Sequence, residues 1–280
     1  MPTSGFLRSL SFNTPEAKMV NKMPEPHPTG SSHVHPRGPF RGALLYFLLF
    51  FLFSILGGVT AALFTSEPVP LLTLSYLVPG VGAAIILSRI GWWKRVGFCH
   101  TGRRKDVLLY VLPVIVAMLS LFEGIAVTGL ADIARFAVFS LIVAWTEEIF
   151  FRGLILQSLL PVGTHKAVII SALLFGIPHL INAVGGLWDP LFVIANTVAA
   201  FGIGITFAAL IMRTGTIWPP ILIHAMVNFT ALLALGTILV PEQAPLELSL
   251  TIFAGVVLAG YGWFLLRDVP HTTGYPGAVS

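Results

Sequence analysis

Apolar runs long enough to cross a bilayer recur along most of this chain, and that recurrence leaves few folds open. A helix needs about 20 predominantly apolar residues to span hydrocarbon. Eight runs qualify, at residues 42–64, 71–90, 107–129, 133–160, 167–184, 191–212, 217–235 and 248–266. They predict an all-α, polytopic membrane helix bundle of about eight transmembrane helices. The fourth run is long enough to tilt or protrude, and the fifth is short. Composition agrees: 56% of the residues are hydrophobic and only 10% charged, against about 25% charged in a typical soluble protein. No convincing internal repeat is present.

The basic residues sit between the apolar runs. Arg8, Lys18, Lys22, Arg37 and Arg41 precede or edge the first run, and Lys94, Arg95, Arg103, Arg104 and Lys105 separate the second from the third. Threading eight spans places Lys166, Arg213 and Arg267 on that same side. Glu67, Asp132, Asp189, Glu242 and Glu247 fall opposite, with Arg135 the basic exception. Positive loops face the cytoplasm, so both termini are expected there. The net charge of +4 therefore reads as a topology signal and predicts lipid bilayer rather than nucleic acid as the partner. Trp92 and Trp93 beside Lys94 read as an interfacial anchor. Residues 1–39, rich in Pro, Ser, Thr and His, predict a disordered cytoplasmic tail, 40–267 the bundle, and 268–280 a second cytoplasmic tail. With Cys99 alone, no intrachain disulfide is possible.

Three polar clusters interrupt the apolar runs. Ionisable side chains in hydrocarbon cost roughly 2.5–3.5 kcal/mol each on insertion scales, so their retention points to an internal use. Glu147 and Glu148 are neighbours on the fourth run. Glu148 and Arg152 are four apart, on one helix face and in the favourable order for an ion pair. Glu148 is thereby assigned to Arg152, and Glu147 is left for chemistry. Its neighbour at the same spacing, Phe151, can desolvate it; desolvation and a nearby carboxylate both strengthen a carboxylate as a base. His179 lies on the fifth run beside Pro178, one turn after Phe175. Glu147 and His179 are each 16 residues from Gly163, so a helical hairpin turning there brings them to similar depth. His224 and Asn228, four apart on the seventh run, offer an imidazole and an amide on one face, two donors suited to an oxyanion. Each cluster alone is also compatible with helix packing. Asn182 is placed to orient His179, Glu123 to pair with Arg135, and Asn196 to pack between helices.

The ordered trio Glu147-Glu148-x-x-x-Arg152, Phe175-x-x-x-His179 and His224-x-x-x-Asn228 resembles the type II CAAX prenyl endopeptidase and bacteriocin-processing family of intramembrane proteins, also called Abi-type or CPBP proteins. The resemblance covers about residues 107–235. It implies a bundle of mostly eight helices whose site opens within the membrane. It also implies Glu147 as the base that activates water, His179 as its partner, and His224 and Asn228 as the oxyanion-stabilising pair. Glu148 and Arg152 match the remaining motif positions.

The expected activity is hydrolysis of a peptide bond in a membrane-associated or lipidated protein or peptide, without a covalent intermediate. Ser140 and Ser171 have no stronger case than helix packing, and no cofactor is expected. A zinc-dependent protease is the alternative, because two histidines and a glutamate can ligate zinc, although no His-Glu-x-x-His helix is present. A proton-relay transporter and a non-catalytic scaffold or immunity protein are the non-enzymatic alternatives. The expected location is a prokaryotic cytoplasmic membrane.

Overall fold

A computed structural model describes residues 38–184, 188–238, 245–267 and 269, with the side chain of Glu123 left aside. Both expected tails lie outside the described residues, except for residues 38, 39 and 269. The α-helices are α1 (Pro39–Ala62), α2 (Pro68–Ile90), α3 (Trp93–Val96), α4 (Val111–Ala117), α5 (Leu130–Glu148), α6 (Leu156–Leu159), α7 (Thr164–Gly176), α8 (Pro190–Thr214), α9 (Trp218–Leu235) and α10 (Pro245–Leu266). Among the described residues there is no strand. The chain is a multi-pass membrane protein of all-α architecture.

Among the described residues, seven stretches are long and apolar enough to cross a membrane. They match seven of the eight expected spans. The remaining one, the fourth, is also continuously helical: α5 runs through a π-helical segment (Ile149–Ile155) into α6 and a closing 3-10 turn (Leu160–Val162). It differs from the other seven in carrying Asp132, Arg135, Glu147, Glu148 and Arg152.

Proline sets several boundaries. α1, α2 and α8 each begin on Pro, and α9 has Pro219 at its second position, within the first turn, where a missing N–H costs nothing. Within the expected third span, Pro113 does the opposite. It has no N–H for the carbonyl of Leu109, and the Tyr261 hydroxyl donates to that carbonyl instead, at 2.9 Å. The third span is accordingly not the regular helix expected over 107–129. It is a 3-10 turn (Arg104–Tyr110), α4 and a second 3-10 turn (Leu119–Glu123), ending before Gly124 at φ 103°. Pro178 likewise converts the end of the fifth span into a 3-10 segment (Ile177–Ala183).

The fourth span and α8 form the interior: residues 146–160 are all buried, and 61% of the most apolar window of α8 is buried against 17–33% for the other six apolar spans. α8 packs on α10 along a seam of small residues. A Cβ on Gly202 would lie 2.1 Å from the carbonyl oxygen of Gly255, and one on Gly262 2.7 Å from the Thr206 nitrogen. Such backbone contact is how membrane helices associate where the hydrophobic effect gives no drive. The outward faces are apolar, as on α1 at Leu44, Leu48, Leu52, Ile55 and Val59.

The connections separate into two ends. Glu67, Asp132, Arg135 and Gly236 line one cavity of about 300 Å³, gathering the first, third and seventh connections. At the other end Trp218 Nε1 donates to the Phe98 carbonyl at 3.0 Å, joining the second connection to the sixth. Eight crossings produce this grouping. Trp92 is not an interfacial anchor: it is buried, with the Arg95 guanidinium 4.5 Å above its ring. Arg135 pairs with Asp132 at 3.2 Å. Asp189 caps α8, accepting from the backbone N–H groups of Leu191 and Phe192.

Candidate active site

The polar clusters converge where α5 passes into the π-helical segment. A π turn widens the helix and leaves backbone carbonyls in unusual positions. The Phe151 carbonyl accepts both from the Leu156 N–H, five residues on, and from the Ser171 hydroxyl of α7 at 2.8 Å. Ser171 thus fastens α7 to the π segment. Glu147 and Glu148 end α5 just before this widening, and Arg152 lies inside it.

Glu148 and Arg152 form the expected ion pair, with Nη1 3.1 Å from Oε1 and both side chains fully buried. Hydrogen-bond alignment is absent: none of the three guanidinium nitrogens has a hydrogen-bond partner among the described residues. Aromatic faces supply the rest of the cation's environment. Its central carbon lies 4.1 Å from the ring centre of Phe175 and 5.7 Å from that of Phe207, within reach of cation–π attraction. Glu148 has a second partner that its spacing does not announce. Its Oε1 is 2.8 Å from Nδ1 of His224 on α9. One carboxylate oxygen therefore anchors a guanidinium and an imidazole.

That bond fixes the imidazole. With Nδ1 donating to Glu148, Nε2 is the free nitrogen of His224, and it lies 3.7 Å from Glu147 Oε2, beyond direct hydrogen bonding. The other oxygen of Glu147, Oε1, accepts from the Tyr76 hydroxyl of α2 at 2.9 Å. Glu147 is therefore not without a partner, as its helical position suggests, but held on one oxygen and open on the other. It is 8% exposed.

His179 sits on the 3-10 segment after α7. Its Nδ1 is 3.2 Å from the Phe175 carbonyl, which leaves Nε2 to accept a proton. Both Glu147 and His224 act electrostatically on His179, so the hairpin and α9 bring all three into one site. The Phe175 ring stands between the histidines, with centroids 5.6 Å from His179 and 5.8 Å from His224. Phe175 thus packs both imidazoles and the Arg152 cation. Asn228 is half-buried one turn after His224, and its amide has no hydrogen-bond partner among the described residues. Asn182 is not a partner of His179, whose ring is oriented by the Phe175 carbonyl instead. Asn196 is half-buried on α8, and Ser140 is buried on α5 with no hydrogen-bond partner for its hydroxyl among the described residues. Among the described residues, no three His, Cys, Asp or Glu side chains gather closely enough to hold a metal ion.

Tyr76 and the Glu148–His224 contact are what sequence reasoning missed. Tyr76 stands in an apolar run with no charged neighbour. Its phenol would have been a signal only if the crossing of α2 with α5 were known.

Residues 129–230 match the family described as type II CAAX prenyl endopeptidase Rce1-like, a family of membrane proteases. The match takes in every residue of the three clusters and leaves α1, α2 and α10 outside. No curated protein matches the chain.

Proposed function

From a type II CAAX prenyl endopeptidase Rce1-like domain at residues 129–230, we propose that this chain is an intramembrane endopeptidase that cleaves a membrane-associated or lipidated protein or peptide with activated water. The observation that carries this reading is the half-engaged carboxylate of Glu147. One oxygen is bound by Tyr76, and the other lies 3.7 Å from an imidazole nitrogen, close enough for one water standing beside them to hydrogen-bond to both.

Glu147 takes a proton from that water as it attacks the scissile carbonyl, and returns it to the amide nitrogen as the C–N bond breaks. His179 Nε2, with its lone pair exposed by the Nδ1 bond, assists as acceptor. The oxyanion takes hydrogen bonds from the Asn228 amide and from His224 Nε2. His224 is oriented for this by the contact of its Nδ1 with Glu148. Arg152 offsets the charge of Glu148. No Ser or Cys nucleophile enters, and no cofactor is invoked.

We place both termini in the cytoplasm of a prokaryotic cell. Lys94, Arg103, Arg104 and Lys105 are exposed at one end of the bundle, opposite the end that bears Glu67 and Asp132, and positive loops stay inside.

The test is proteolysis of a membrane extract by the purified chain in lipid vesicles, with and without a strong zinc chelator. Chelator-resistant cleavage that disappears in Glu147→Gln is expected. Stoichiometric zinc together with chelator-sensitive turnover would transfer the assignment to a zinc protease.

A further inference from the structure

Tyr76 lies on α2, outside the matched domain, yet its hydroxyl donates to Glu147 at 2.9 Å, closer than the His224 imidazole at 3.7 Å. Three features hold it in place. Its ring packs edge-on against Phe139 of α5, with centroids 6.4 Å apart. Its backbone carbonyl accepts from the Thr146 hydroxyl at 3.3 Å, beside Glu147 itself. Four residues on, Gly80 lets α2 lie directly against α5: a Cβ there would come 2.7 Å from the Thr146 hydroxyl oxygen.

We propose that Tyr76 is a positioning residue for peptide hydrolysis, holding the Glu147 carboxylate through Oε1 so that Oε2 is the oxygen that takes the proton from water. This rests on Glu147 being the base. The carboxylate hinges on three side-chain torsions inside the membrane, and the groups facing it would otherwise compete for it. They are His224 from α9, His179 from the segment after α7, and Glu148 and Arg152 from its own helix and the π segment. A donor to Oε1 ends that competition. A hydrogen bond to the charged form of a carboxylate stabilises that form, so losing this donor has a signature in the rate–pH profile.

The experiment follows the initial rate at which Glu147-dependent protein termini appear in lightly permeabilised membrane vesicles, across a pH series, at matched protein abundance. Tyr76→Phe is expected to slow this rate by roughly ten- to a hundredfold, as for a lost hydrogen bond to a charged group. It is also expected to move the acid limb of the rate–pH profile to higher pH. Phe139→Leu removes the ring against Tyr76 and keeps the hydroxyl, and its acid limb is expected to stay where the wild type's lies. If Tyr76→Phe fails to accumulate, 3-fluorotyrosine at position 76 keeps the shape and gives a stronger donor, moving the acid limb to lower pH.

An unchanged rate and acid limb in Tyr76→Phe, with Glu147→Gln inactive, overturns the role of Tyr76 and leaves Glu147 as the base. So does a Phe139→Leu profile that copies Tyr76→Phe, or an unmoved limb with fluorotyrosine. Turnover retained in Glu147→Gln removes the base itself, and the role of Tyr76 with it.

Discussion

Two acid–base pairs lie on the same helical path. Asp132 and Arg135, near its start, are 3.2 Å apart with both side chains more than half exposed. Glu148 and Arg152, one turn apart further along, are separated by 3.1 Å with no exposure at all. The distances are nearly the same and the physics is not. An exposed pair is screened and contributes about 0–1 kcal/mol. A buried pair carries a desolvation cost that its attraction offsets only when both members are present; removing one costs about 3–5 kcal/mol. Arg152 reinforces the contrast, because aromatic rings rather than hydrogen bonds complete its surroundings. An ion pair is informative about function when its burial is expensive and its members touch further polar groups, as Glu148 touches His224.

The largest effect is expected one residue away. Glu147→Gln should lower proteolysis by roughly 10²–10⁴-fold, the contribution of a positioned acid–base group. The thermal midpoint of the purified protein should hardly move, because Tyr76 can still donate to the amide oxygen. Arg152→Met should destabilise by about 3–5 kcal/mol, read as a lower thermal midpoint in detergent and lower abundance in membranes. Combining it with Glu148→Leu should recover much of that loss, since the uncompensated charge is gone, while activity stays low because His224 has lost its partner. A double variant as unstable as the single would break the distinction between the pairs. The smallest effect belongs to Arg135→Met, expected within about 1 kcal/mol of wild type and with proteolysis intact. A loss there comparable to Arg152→Met would erase the contrast.

The fold was legible where one residue class dominates. Six apolar runs became spans with boundaries within a few residues of those expected, because length and hydropathy alone place them. The third run misled, since its apolarity hides Pro113 and the broken helix around it. Within the site, Glu148–Arg152 was legible because both partners are on one helix at a fixed spacing. The equal chain distances of Glu147 and His179 from Gly163 likewise gave a depth, and the structure brings both histidines to Glu147. Rotations between helices were not legible. The partnership of Glu148 with His224 spans 76 residues, and that of Tyr76 with Glu147 spans 71. Neither follows from periodicity, because the angle at which one helix presents its face to another is set by packing along the whole bundle. Trp92 shows the same limit: a Trp beside Lys looks interfacial until the fold places it beneath Arg95.

The central claim is that the buried cluster serves proteolysis and is not only a clasp between helices. The most direct test compares protein termini in membrane fractions from cells carrying either the wild-type chain or Glu147→Gln, at matched abundance. New termini that appear with the wild type and vanish with the variant are the predicted result. Matching termini in the two fractions, with the wild-type phenotype surviving the substitution, would contradict it and leave the cluster a structural clasp.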